Sequence, residues 1–288
     1  RFLEKIPGGT GDLQRLAFDV LVSVGIFSPD EPLELHRIGI PIEFMKETLE
    51  ESFDTKMPSK NSIELGRRDL TKSPTVTIDD LNTEERDDAI SLDVVKEDTL
   101  SYRLAIHIAD VGALISYNGA IDQEAGRRMA TLYLPEGTIG MLPADFYKRL
   151  GSLEPRKTRL AMSLLVNVSI SGEILDWEIT PSVIRCRASL TYEESDHILQ
   201  DESSPWYRML SGIHQAALGL RRRREEYGAV NIDQPEMSVR ALNHGEIEVK
   251  VLSRSSPSRQ MISELMILYN SLMAEFCSKE KLPAAYRY

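Results

Sequence analysis

The chain has 288 residues, 42% hydrophobic and 27% charged, a globular composition that excludes a disordered or collagen-like polymer. At that length a fold buries about three quarters of its unfolded surface, so neither disulfides nor a structural metal is needed for stability. With 34 Lys and Arg against 45 Asp and Glu the formal net charge is −11, which, taken over the whole chain, argues against a nucleic-acid-binding surface.

Residues 1–70 read as a helical lead-in, winged-helix-like at most. Leu13, Leu16, Ala17, Val20, Leu21 and Val24 recur at helical spacing, and Ile42, Phe44, Met45 and Leu49 suggest a second helix. Pro7-Gly8-Gly9 and Ser28 to Pro32 supply the breaks. From Thr75 the texture becomes β-branched. Strands are expected at Thr75–Ile78, Ala89–Val95 and Tyr102–Ile108, then at Leu160–Ile170, Ile174–Ile179 and Val183–Leu190, the last two divided by Pro181. Ser204-Pro205 and Ser256-Pro257 each look like an N-cap followed by a first-turn proline. They open two helices whose apolar faces carry Leu210, Ile213 and Ala217, then Met261, Leu265 and Leu272. Two further strands near 237–242 and 246–252 lie between them. The fold class is therefore α+β, with a mixed sheet packed by helices over residues 71–288.

Cys186 and Cys277 are too few for a disulfide framework and have no metal-ligand spacing, which suits reduced, buried thiols. No apolar run approaches the ~18 residues that span a bilayer, so no membrane partner is expected. The first residue is Arg1, so the chain reads as a processed form or a fragment.

The chemistry concentrates between residues 79 and 98, where nine acidic and two basic side chains give a local charge of −7. Asp79 closes a strand, and Glu85, Asp87 and Asp88 crowd the start of the next. Carboxylates this close repel and raise one another's pKa unless a cation sits between them. Oxygen-only sets suit a hard divalent ion, whereas a solvated acidic loop is the plain alternative. Asp spacing and the lack of a loop glycine exclude an EF-hand.

Thr77-Ile78-Asp79 followed by Asp87-Asp88-Ala89-Ile90 resembles the signature of the ribonuclease II/ribonuclease R (RNB) family. The resemblance continues in order through Ile106–Val111, Tyr133-Leu134-Pro135, Met141-Leu142-Pro143, Ser152-Leu153 with Arg159–Ala161, Ala188–Tyr192 and Glu264–Asn270, covering roughly residues 65–288. It implies a Mg²⁺-dependent, or alternatively Mn²⁺-dependent, 3′→5′ exoribonuclease that releases nucleoside 5′-monophosphates from single-stranded RNA. Asp79, Asp87 and Asp88 fall on the family's metal-site aspartates, and Glu85 stands where the family pattern has a fourth aspartate. Tyr133 and Tyr192 match tyrosines that clamp the RNA 3′ end, and Glu264 matches an acidic helix position. The run Arg221 to Arg224 closes a helix, either as cations complementing its C-terminal dipole on a solvated face or, with Arg221 and Arg222, as a patch that tracks RNA phosphates.

Three departures favour a rival reading, a catalytically weak or inactive RNA-binding scaffold of the same fold. They are Glu85, Ile232 where an aromatic is expected, and Ser263 where a second acid is expected. The family's second, arginine-rich catalytic segment has no match before Tyr288. The catalytic domain therefore reads as truncated at its C-terminal end, leaving a missing C-terminal half or protein partners to complete it. The family context suits a bacterial cytoplasm or an organelle.

Overall fold

The computed structural model describes residues 13–29, 31, 35, 39, 41–59, 66–93, 101–135, 137–231, 236–241, 246–252 and 256–286. Its centre is a seven-stranded mixed sheet. In chain order the strands are β1 (Arg68–Asp69), β2 (Val76–Asp79), β3 (Asp88–Asp93) and β4 (Ser101–Ala109), a short side hairpin β5 (Leu132–Leu134) and β6 (Gly137–Ile139), then β7 (Thr158–Ser169), β8 (Ile174–Arg185) and β9 (Ala188–Thr191). A second separate hairpin pairs β10 (Glu236–Ala241) with β11 (Ile247–Leu252). The sheet order is β1-β8-β7-β4-β3-β2-β9, antiparallel throughout except for the terminal pairs β1–β8 and β2–β9, which are parallel.

Side chains alternate across a strand, and here the two faces differ in kind. One carries Val76, Ile78, Ile90, Leu92, Leu104, Ile106, Leu164 and Val166, packed under the helices Tyr207–Glu226 and Pro257–Lys279. The other carries small and polar residues, among them Ala89, Ala161, Ser91, His107, Ser163 and Ser182. The first face is the main core, and the second is where the connecting segments cross.

On that second face His107 is fully buried and bonds Ser91 Oγ at 3.2 Å and Ser163 Oγ at 2.6 Å, and Ser163 continues to Ser182 Oγ at 2.6 Å. A buried imidazole with two hydroxyl partners is a structural histidine, as its strand position suggests. Burial pushes its pKa down from 6.5 to about 3, so the folded ring stays neutral while the unfolded one takes up a proton below pH 6.5. The unfolded state then binds more protons, and stability is lost as pH falls through that window. Urea unfolding at pH 7 and pH 5 should show wild type losing about 2 kcal/mol more than a His107→Gln variant. An equal loss in the two proteins would exclude His107 as the cause.

Helix Pro257–Lys279 begins as the sequence suggests: the Ser256 hydroxyl accepts from the Arg259 amide at 3.3 Å, with Pro257 in the first turn. Ser204-Pro205 behaves otherwise. The second helix starts at Tyr207 with Trp206 as an uncapped N-cap, and Ser204-Pro205 forms the turn before it, closed by Tyr207 N to Ser204 O at 3.1 Å. Pro181 does not divide two strands either. It lies inside the continuous β8, opposite Met162 and, among the described residues, outside the two-residue stretch where β1 pairs, an edge position of the kind that tolerates proline.

Two glycines let helix Tyr207–Glu226 approach the sheet closely. A Cβ on Gly212 would lie 2.6 Å from Leu92 Cδ2, and one on Gly219 would lie 2.6 Å from the Ile170 carbonyl and 2.8 Å from the Gly172 nitrogen. Gly172 itself turns β7 into β8 at φ +84°, a left-handed conformation that favours glycine.

The lead-in contributes helices Leu13–Ser23 and Lys46–Asp54. The second is tied to helix Ala120–Arg128. Glu51 accepts from the amides of Ala120 and Ile121 at 2.5 and 3.2 Å, so a carboxylate from another element caps this helix. Buried Glu124 accepts from Thr48 at 2.5 Å and from Arg128 at 2.8 Å.

Candidate active site

Asp79 is the last residue of β2 and Asp88 the first of β3, so the antiparallel pair delivers both carboxylates to one end of the sheet. The loop between them is held by hydrogen bonds to the Ser152-Leu153 segment. Leu153 N donates to Arg86 O at 2.9 Å, Arg86 N to Ser152 Oγ at 3.2 Å, and Ser152 Oγ to Glu84 O at 3.2 Å. Arg159, itself buried, fixes Ser152 by donating from Nε to its carbonyl at 2.8 Å. Ala109 N adds a bond to the Asp87 carbonyl at 2.8 Å.

The predicted acids lie within electrostatic reach of one another there, Asp79 with Asp87 and Asp88, Asp88 with Asp87, and Glu85 with Asp87. Burial, and then the charge of Asp88, pushes the Asp79 carboxyl up to about 7, and burial followed by Asp87 takes Asp88 up to about 6. Burial and Asp87 also raise Glu85. Among the described residues Asp79 Oδ2 and Asp88 Oδ2 are buried with no hydrogen-bond partner, and the cation paired with Asp79, Arg86 Nε, stands off at 3.9 Å while donating to Ser189 Oγ at 2.8 Å. Two orphaned carboxylate oxygens cost several kcal/mol of lost solvation unless something neutralises them.

Asp87 and Glu85 are oriented by tyrosines. The buried Tyr147 hydroxyl donates to Asp87 Oδ1, and burial together with Asp87 pushes that phenol's pKa well up. Tyr147 carries no signal in the sequence. It lies on a π-helical turn, Tyr147–Gly151, between the Met141-Leu142-Pro143 and Ser152-Leu153 landmarks, and nothing local marks it out. Tyr133, 72% exposed on β5, donates to Glu85 Oε2 at 3.4 Å across a cleft of about 770 Å³ that Phe44, Asp80, Asn82, Ile139 and Leu142 also line.

Tyr192 approaches from the other side. It opens the helix Tyr192–Ile198 behind a Thr191/Glu194 capping box, and its phenol is pushed up to about 12 by burial and then by Asp88. Arg259 lies over its ring at 4.1 Å and pairs with Asp80.

The remaining predicted residues form a separate constellation on the paired helices. Glu264 is buried and accepts two bonds from Arg224, at 2.6 and 3.2 Å. Arg221 pairs with Glu225 at 2.9 Å, and Arg222 Nε donates back to Leu218 O at 3.4 Å. Ser263 is exposed on the same helix, and Ile232 lies outside the described residues.

Among the described residues no three His, Cys, Asp or Glu side chains converge as a ready-made metal set. The donors do suit a different arrangement. Mg²⁺ is commonly held by one or two carboxylates, with water and substrate phosphate completing six oxygen ligands. The orphaned oxygens of Asp79 and Asp88 would be such a pair if an ion were bound.

Residues 67–288 match the family model for the RNB domain. The chain is 32% identical over 285 residues to a protein of Synechocystis sp. described as an uncharacterized ribonuclease, covering 98% of this chain and 41% of that one. It is 31% identical over 258 residues to ribonuclease R of Thermotoga maritima, covering 88% and 36%. The chain thus spans about two fifths of these relatives. Its fold matches Mycoplasma genitalium RNase R in complex with ribose-methylated single-stranded RNA (TM-score 0.79, 21% identity, 86% of this chain and 39% of that one). It also matches yeast Ssd1, a pseudonuclease, at TM-score 0.63 and 20% identity over 80% and 28% of the two chains.

Proposed function

The chain belongs to the RNB-domain family, and from that premise we propose that it is the metal-bearing part of a 3′→5′ exoribonuclease acting on single-stranded RNA. The observation that carries this reading is the pair of orphaned carboxylate oxygens, Asp79 Oδ2 and Asp88 Oδ2, at adjoining strand ends. Asp79 and Asp88 would hold Mg²⁺, or Mn²⁺ in its place, with Glu85 and Asp87 beside it. Bound there, the ion supplies Lewis-acid polarisation of a phosphate oxygen.

The chain's own groups do the rest. Tyr147 fixes one oxygen of Asp87 and leaves the other to accept from the attacking water. Tyr133, exposed on the cleft wall, offers a ring on which the terminal base stacks, an interaction worth about 1–3 kcal/mol and indifferent to base identity. Arg86 stands at 3.9 Å from Asp79, close enough to share its charge without filling the place of a cation. Hydrolysis breaks the bond between phosphorus and the 3′-oxygen of the preceding nucleotide; the hydroxyl of water adds to phosphorus and a proton goes to the departing 3′-oxygen, so the shortened RNA ends in a 3′-hydroxyl and a nucleoside 5′-monophosphate is released.

The test is to incubate the protein with 5′-labelled single-stranded RNA in Mg²⁺, in Mn²⁺ and in EDTA. Metal-dependent stepwise shortening with release of nucleoside 5′-monophosphates is the expected result. Release of 3′-phosphorylated products, or cleavage insensitive to EDTA, overturns it. The rival, an RNA-binding relative without hydrolysis, is favoured by Glu85, whose extra methylene moves its carboxylate by about 1 Å. Salt-sensitive RNA binding with no monophosphate release would establish it.

A further inference from the structure

The end of the β2–β9 pair away from Asp79 gathers positive charge. The register runs from Val76 opposite Ala188 to Asp79 opposite Thr191, so residues just before Ala188 and the acids sit at opposite ends of β9, roughly 10–13 Å apart. Three stretches distant in sequence meet there. Arg68 and Asp69 pair with Ser182 and Val183, Thr158 pairs with Arg185, and the Arg187 amide donates to the Thr75 carbonyl at 2.7 Å. A cleft of about 560 Å³ opens between them, lined by Arg67, Lys72, Arg185 and Arg187 over an apolar floor of Met57 and Val183.

The cations differ in availability. Arg67 is committed to Asp110 at 2.5 Å and to the carbonyls of Ala161 and Ser182. Lys72, Arg156, Arg185 and Arg187 are exposed and, among the described residues, pair with no carboxylate. Arg185 donates to the Arg156 carbonyl at 3.1 Å, and Arg187 to the carbonyls of Thr71 and Lys72 at 3.4 and 3.3 Å. Those bonds orient the guanidinium groups without cancelling their charge. Asp69, the acid in the lining, already accepts from the Thr71 amide and hydroxyl.

A chain of net charge −11 with an acidic reaction cleft repels a polyanion, so any long-range attraction must come from a local reversal of sign. We infer that this basic cleft is a second RNA site, taking the phosphate backbone of a single-stranded segment outside the acidic cleft, an inference that rests on the exoribonuclease reading. Oriented arginines receive phosphate oxygens and the apolar floor receives sugar and base faces.

Fluorescence anisotropy of labelled oligouridylate in EDTA, where no hydrolysis occurs, over a KCl series tests it. Lys72→Glu/Arg185→Glu should lower affinity by roughly tenfold or more. It should also make the slope of log K against log salt shallower by about 1.4, at ~0.7 for each of the two phosphates no longer neutralised. The charge-keeping pair Lys72→Arg/Arg185→Lys should retain both, and Lys279→Glu elsewhere on the surface should lose neither. If the double reversal fails to fold by circular dichroism, Lys72→Glu alone, on an exposed side chain, should still weaken binding. Unchanged affinity and slope in the folded reversal variant overturn the basic cleft alone. A wild type that binds no RNA at any salt overturns the exoribonuclease reading with it, and displacement of RNA by polyglutamate at equal charge reassigns the cleft to an acidic protein.

Discussion

Replacing Asp88 with asparagine should lower metal-dependent RNA hydrolysis by about 10³-fold and at the same time raise the melting temperature of the metal-free protein. The first effect follows from removing half of the carboxylate pair that would hold the ion. Metal-ion stabilisation of a phosphoryl transition state amounts to several kcal/mol, and about 4 kcal/mol corresponds to 10³ in rate. The second follows from the cost the pair imposes when unneutralised. Burial, and then the charge of Asp87, raises the Asp88 pKa to about 6, and among the described residues its Oδ2 has no hydrogen-bond partner. An amide keeps the shape, drops the charge and relieves Asp79, whose own rise depends next after burial on Asp88. A gain of roughly 1–2 kcal/mol is expected, or a few degrees in a chain of this length. Thermal melts with and without Mg²⁺ separate the causes. Wild type should gain stability from the ion by mass action and the variant should not. A variant that stays active and is stabilised by Mg²⁺ as much as wild type would remove Asp88 from the metal site.

Arg224→Ala should be the most damaging single truncation on the paired helices, at about 3–5 kcal/mol, because it strands a buried carboxylate. Glu264 is 7% exposed, and both its oxygens are taken by the one guanidinium. Melting temperature should fall by roughly 2–4 °C per kcal/mol. The double variant Arg224→Ala/Glu264→Leu should recover most of the loss, since an apolar side chain of similar volume needs no partner. Arg221→Ala on the same helix is the contrast. Its partner Glu225 lies one turn away on the surface, and such pairs contribute about 0.3–0.5 kcal/mol. If Arg224→Ala and Arg221→Ala melt alike, the buried pair is not the structural bond described.

The elements legible in the sequence share a physical reason: one residue type imposes one backbone. Ser256-Pro257 marks a helix start because the hydroxyl caps and the ring fits only the first turn. The β-branched runs around Val76, Ile90 and Ile106 form the core strands because period two buries one face. The acidic loop stands out because crowded carboxylates need a counter-charge. Other features lack a local cause. Helix Ala120–Arg128 has few apolar residues and takes its N-terminal cap from Glu51, 69 positions away in sequence. Tyr147 reaches Asp87 only through the fold, and which two of the four acids are orphaned depends on where Tyr133, Tyr147 and Arg86 finish. The same holds for Glu264. Its position on an apolar helix face demands a partner, but four consecutive arginines offer one, and register alone selects Arg224.

The glycines at 212 and 219 have a consequence for mutational tolerance. Seven residues apart, they lie on one face of their helix, two turns from each other; Gly212 rests against the Leu92 side chain, and Gly219 directly against the backbone of the β7–β8 turn. A methyl group at Gly219 is a wedge rather than a cavity-filling addition, because the opposing atoms are backbone and cannot rotate away, whereas one at Gly212 presses on the end of the Leu92 side chain. The wedge would lift the helix and, with it, Arg224 from Glu264 on the neighbouring helix. Harmful substitutions in this protein should therefore cluster along a lane of missing side chains as much as among its charged residues.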